Sequence, residues 1–131
     1  MATFSNPDGM PKQLGLYSHV ASSRATNIIS IAGQIGVNLD GTLPLTMSGQ
    51  MDNIFTYFGA ALRSHEMTYD HIIQMTTYVT GREHIAPFYE HRATLYPGLF
   101  STEAYPPNTL LIIDGLVLPE AIIEISAIAA A

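Results

Sequence analysis

The closing segment of this chain, Ala121 to Ala130, restricts its fold more than any other stretch. It reads Ala-Ile-Ile-Glu-Ile-Ser-Ala-Ile-Ala-Ala, and Glu124 is the only charged residue after Glu120. A run this apolar and rich in isoleucine reads as a strand. Alternation then sends Ile123, Ile125 and Ala127 to one face, and Ile122, Glu124, Ser126 and Ile128 to the other. A carboxylate among isoleucines is disfavoured unless it is paired or hydrogen-bonded, and desolvation raises its pKa. That is the environment of a general acid or base working near neutral pH. The alternatives are a satisfied structural carboxylate and an edge strand that faces water. Just upstream, Thr109 to Ile113 is uniformly apolar, as expected of a strand covered on both faces, and it starts from a polar corner at Asn108.

Other elements follow from spacing. Met1 to Lys12, with Asn6-Pro7-Asp8-Gly9 and Pro11, reads as an irregular lead-in. Leu14 to Ala21 reads as a short first strand, and Asn27 to Gly36, with Ile28-Ile29-Ser30-Ile31, as a second. Asn38 to Thr42 supplies a turn. Met51, Ile54, Phe55, Phe58 and Leu62 form one helical stripe, with Thr46 or Ser48 as its cap and a stop near His65-Glu66. Asp70 to Thr80 reads as a third strand. Ile85, Phe88, Tyr89, Arg92 and Leu95 form a second helical stripe, with Pro87 in its first turn and Tyr96-Pro97-Gly98 as its end. The order strand, strand, helix, strand, helix, strand, strand suits an α+β domain over residues 1–131: a mixed sheet with two helices on one face. The bare face then calls for a cover, which self-association supplies.

Composition agrees with that need. The 131 residues suit one core, and only 12% of them are charged, against 47% hydrophobic. Soluble domains average about 25% charged residues, so the surface is unusually neutral and self-association is favoured over a monomer with a mild polar coat. Five Lys+Arg against eleven Asp+Glu give a net charge of −6 with no basic run, which argues against nucleic-acid binding. With no cysteine there is no disulfide, thiolate metal site or cysteine nucleophile. No signal peptide and no apolar run of about 20 residues are visible, so the expected location is the cytoplasm, with no membrane partner.

Few other residues suggest chemistry. Gly33-Gln34-Ile35-Gly36 follows a strand but has no lysine after it, so it is no phosphate loop. Its glycines allow close approach of a ligand, and a bulge or turn is the simpler reading. Tyr17 and His19 can hydrogen-bond and titrate, although a half-buried strand tyrosine is usually core. His84 and His91 are about 10 Å apart along a helix axis, too far for one ion, and no metal site is expected. A serine hydrolase lacks its Gly-x-Ser-x-Gly elbow.

Taken in order, several segments resemble the RidA/YjgF family of enamine and imine deaminases. Gly15-Leu16-Tyr17-Ser18-His19-Val20 is similar to that family's Gly-Pro-Tyr-Ser-Gln/His segment, and Ile31-Ala32-Gly33-Gln34-Ile35-Gly36 to its Ser-Gly-Gln-Ile/Val segment. Gln50 to Leu62 resembles the run to an Ala-Leu, and Ile73 to Val79 resembles Val-Lys-Thr-Thr-Val-Phe. Ile123 to Ala129 resembles Ile-Glu-Ile-Glu-Ala-Ile-Ala. Each motif is weak alone, but the ordered set covers nearly the whole chain.

The resemblance implies a chorismate-mutase-like α+β fold that trimerises, with small-molecule clefts between subunits. In the family's deaminases an arginine binds the substrate carboxylate and a glutamate helps position the attacking water. By position Tyr17, Gly33 and Glu124 match, whereas Asn108 stands at the arginine position, Leu110 at a frequent cysteine and Ala32 at a small polar residue. The expected catalytic residues are therefore Glu124, Asn108 and Tyr17. Gly33, Gln34, His19, Thr109 and Leu110 are expected to bind substrate, with no cofactor. Asparagine lacks the fixed charge and bidentate fork of arginine, so carboxylate-bearing imines are expected to be poor substrates and a neutral polar ligand better suited. A hydrolytic deaminase of a small imine, enamine or polar metabolite is the leading expectation. A non-catalytic trimeric binder using the same cleft is the alternative, and a ribonuclease the third.

Overall fold

A computed structural model describes residues 2–131. Six strands and two helices run in the order β1 (Thr3–Ser5), β2 (Val20–Ser22), β3 (Ile28–Ile35), α1 (Met47–Arg63), β4 (Ile72–Val79), α2 (Ile85–Leu99), β5 (Asn108–Ile112) and β6 (Ile123–Ala130). The main sheet has the order β3-β6-β4-β5, antiparallel except for the β4–β5 pair. The closing strand β6 is thus interior. Ile123, Ile125, Ala127 and Ala129 alternate into the core, and Ile122, Glu124, Ser126 and Ile128 face the other way, half-buried.

Both helices lie against the first of these faces. The α1 stripe Met51, Ile54, Phe55, Phe58 and Leu62 is fully buried, and Phe88 and Tyr96 of α2 complete the core with Phe100 and Tyr105. Thr46 caps α1, its hydroxyl accepting from the Gly49 amide at 3.1 Å. Gly36 lets the helix sit on the end of β3, since a Cβ there would lie 2.3 Å from the Gln50 Cα. Gln50 itself is buried and ties two loops together. Its amide donates to the Pro44 and Glu120 carbonyls at 3.0 and 3.1 Å and accepts from the Ile122 amide at 3.0 Å. Among the described residues no helix is long and apolar enough to cross a membrane.

Four sequence expectations need correction. The lead-in contains β1, which pairs antiparallel with β2; Met1 lies outside the described residues. Tyr17 and His19 are not on a strand. Residues 14–19 are irregular, held by Leu14 N–H to the Tyr17 hydroxyl at 3.1 Å and His19 N–H to Asn6 Oδ1 at 2.9 Å. Helix α2 continues through Pro97 to Leu99, because a proline in the last turn removes only one intrahelical bond. Strand β5 is an edge, and Thr109, Leu111 and Ile112 on it are exposed rather than covered.

Candidate functional site

Register fixes which side chains share a face. In the parallel pair, Met75 and Thr77 of β4 align with Asn108 and Leu110 of β5, and Met75 and Thr77 are buried toward the helices. Asn108 and Leu110 therefore belong to the helix side of the sheet, at its edge. In the antiparallel pair, Tyr78 aligns with Glu124, and Thr77 with Ile125. Glu124 therefore belongs to the uncovered side. One chain does not bring Asn108 and Glu124 together.

On the helix side, Asn108 opens into a cavity of about 250 Å³ lined by Leu14, Tyr17, Tyr89, Arg92, Asn108 and Leu110. Three of the expected residues, Tyr17, Asn108 and Leu110, meet here. The Thr77 hydroxyl donates to Asn108 Oδ1 at 2.8 Å, which leaves the amide NH2 of Asn108 as a free donor. The Tyr17 oxygen accepts from the Leu14 amide, so its own proton is available too.

Arg92 is the residue that sequence reading missed. It is 2% exposed, yet it lines the cavity wall. Its guanidinium carbon lies 4.9 Å from the Phe88 ring centroid, 4.8 Å from Tyr89 and 5.9 Å from Tyr96. Gly15 packs against it, and a Cβ there would fall 2.6 Å from Nη2. Its Nε is buried without a hydrogen-bond partner, and neither ion pair among the described residues involves it. Burial lowers its pKa, opposed by the nearby Tyr96 and Tyr89 phenols, but a guanidinium stays charged. Burial also pushes the Tyr96 phenol well above its ordinary value, opposed by Arg92. The signal was present in the sequence: one cation in the middle of the α2 apolar stripe.

On the uncovered side, Glu124 lies over Gly33. A Cβ on residue 33 would fall 2.3 Å from Glu124 Oε2 and 2.8 Å from its carboxyl carbon, so only glycine leaves the carboxylate where it is. Gly33 sits in a bulge of β3, where the pairing with β6 shifts by one residue between Ile31 and Gln34. The half-buried Glu124 makes no hydrogen bond or ion pair among the described residues, which leaves its carboxylate free to accept from a water or a ligand.

The remaining expected residues fall outside both clusters or at their rims. Gln34 stands at the bulge, and its amide donates to the Ala32 carbonyl at 3.0 Å. Thr109 is exposed on the uncovered face, opposite Thr76. His19 does not line the cavity; its Nε2 lies 2.6 Å from the Pro11 carbonyl oxygen, and its ring packs edge-on against Tyr17 at 5.6 Å. A larger cavity of about 360 Å³ lies between the helices, lined by Thr46, Pro87 and His91 among others. His91 there bonds Asp52 at 2.7 Å. Among the described residues no group of three or more His, Cys, Asp or Glu is placed to hold a metal ion.

Comparison with known proteins bears on this arrangement. A search of curated proteins found no match. Among solved structures, a Rid-family protein of unknown function, YyfB from Yersinia pestis, superposes with a TM-score of 0.84 at 24% identity, over 99% of this chain and 98% of that one. TdcF from E. coli, solved with bound serine, gives a TM-score of 0.72 at 21% identity, covering 98% of each chain. The YjgF gene product of E. coli gives 0.71 at 20% identity, again over 98% of each. The mixed sheet with two helices on one face is thus the Rid/YjgF fold. The family described as Endoribonuclease L-PSP matches residues 9–131, and the chain belongs to that family.

Proposed function

We propose that this protein is a RidA-type hydrolase of a small imine or enamine, acting in clefts between the subunits of a homotrimer. The observation that carries this reading is the unpartnered Glu124 carboxylate held over Gly33 on the uncovered face of the sheet. Each cleft would join that carboxylate from one protomer to the Asn108 cavity of its neighbour, since a single subunit keeps them on opposite faces.

The chemistry such a pair supplies is direct. Glu124 takes a proton from a water whose oxygen forms the new bond to the imine carbon. The same carboxylic acid then returns the proton to the nitrogen. In the resulting carbinolamine the carboxylate takes the hydroxyl proton and passes it to the amino nitrogen, so that the C–N bond breaks, ammonia leaves and the carbonyl forms. Asn108 and Tyr17 donate to the polar groups of the ligand and orient it, while Leu110 and Tyr89 bury its apolar part. Family membership supports a small-molecule enzyme or binding role. The bound serine of TdcF is a ligand of the same small, polar kind. An RNA substrate fits the chain poorly, because a net charge of −6 without a basic cluster repels a polyanion.

The test is turnover of a panel of charged and uncharged small imines, including 2-iminobutanoate. Hydrolysis that Glu124→Gln abolishes supports the hydrolase. Saturable binding with no turnover makes the protein a binder instead, and cleavage of RNA by a nuclease-free preparation overturns both readings.

A further inference from the structure

We propose that Arg92 is the anion anchor of this site, and that the ligand carries a carboxylate held between the Arg92 guanidinium and the Asn108 amide. The inference rests on reading the Asn108 cavity as the ligand site, and it deepens that reading by naming the ligand's charge.

The donor and acceptor balance of the cavity points this way. Arg92 is a cation removed from water, with a buried Nε that has no partner and no carboxylate beside it among the described residues. Its aromatic neighbours offset only part of the desolvation. The Asn108 oxygen accepts from Thr77 while its NH2 is unengaged, and Tyr17 keeps its hydroxyl proton. No acidic side chain lines the cavity. The wall is thus rich in donors and poor in acceptors. A carboxylate, which only accepts and matches the guanidinium fork, takes up these donors with both oxygens; a neutral amide offers one accepting oxygen and no charge.

This revises the expectation drawn from residue 108. The positive charge absent from β5 is supplied from α2, so asparagine at that position does not make the site neutral. Lysine would keep the charge but lose the fork. Gly15 packs against Nη2, and Arg92 also lines the cavity from which a ligand would reach it.

The test uses the wild-type protein with two matched probes, 2-oxobutanoate and 2-oxobutanamide, followed by calorimetry and by the NMR signal of the Arg92 Nε–H. Charge-assisted pairs in clefts set the scale: the carboxylate should bind at least about thirtyfold more tightly than the amide and should shift the Arg92 signal. Arg92→Gln should weaken carboxylate binding by about the same factor and amide binding by much less, with Arg92→Lys in between. Equal binding of the two probes, no carboxylate binding at millimolar concentration, or a folded Arg92→Gln variant with undiminished carboxylate binding would each overturn the proposal. Should Arg92→Gln fail to fold, the wild-type probe pair and the Arg92 signal decide the matter. Carboxylate binding without turnover would uphold the anchor and overturn the hydrolase. Turnover with no preference for charge would do the reverse.

Discussion

Asn108 and Glu124 lie on opposite faces of one sheet, separated by the β4 strand to which both β5 and β6 are hydrogen-bonded. A site that uses both must therefore be built from two copies. The face carrying Glu124 also presents Thr76, Tyr78, Ser126 and Ile128 with no helix over them. We expect a trimer in sedimentation and light scattering. Ile128→Asp, which puts a charge at the centre of that face, should shift the mass toward the monomer. A wild-type protein that is monomeric at micromolar concentration would remove the shared cleft.

Gly33 separates fold from function. The Cβ of Gly33→Ala would meet the flexible end of Glu124, which can swing aside, so stability should fall by no more than about 1–3 kcal/mol. Turnover should fall as far as in Glu124→Gln, about a hundredfold or more, as expected when a general base is lost. Steady-state kinetics beside thermal unfolding would check this; full activity in Gly33→Ala would take Glu124 out of the chemistry.

Gln50 makes the opposite case, a buried polar residue whose role is structural. Gln50→Ala removes three hydrogen bonds and leaves the Ile122 amide and two carbonyls without a partner. Urea unfolding should show a loss of about 2–4 kcal/mol. A loss below about 0.5 kcal/mol would mean that water replaces the amide at no cost.

Tyr96 sets the alkaline limit. Burial raises its folded-state pKa above the ordinary 10.0 that it has when unfolded. The unfolded chain thus releases a proton that the native state keeps, and stability is lost as pH rises through 10 and beyond. Tyr69 is raised in the same direction, also by burial. The unfolding temperature should fall from pH 9 to pH 11, and Tyr96→Phe should flatten the larger part of that fall. An unchanged slope in the variant would assign the effect elsewhere.

Much of this architecture was legible because it rests on local period. The α1 stripe, the Thr46 cap, Pro87 in the first turn of α2 and the alternation around Glu124 each follow from spacing that burial then enforces. Two kinds of information were not local. Strand β1 is three residues long and is defined only by its pairing with β2, and Tyr17-Ser18-His19 is held by side-chain bonds that no periodicity reports. Positional matching at Asn108 compares residues along a strand and not across a cavity. The cation that shares the Asn108 cavity is Arg92, sixteen positions earlier and on a different element.

Mixed oligomers test the shared cleft most directly. Glu124→Gln spoils one half of each site, and Leu110→Trp fills the cavity that forms the other half. Each variant alone should be inactive on 2-iminobutanoate. When the two are unfolded together in equal amounts and refolded, one cleft in four joins two intact halves, so turnover should recover to about a quarter of the wild-type rate. A mixture no more active than its components would contradict a site built across the subunit boundary.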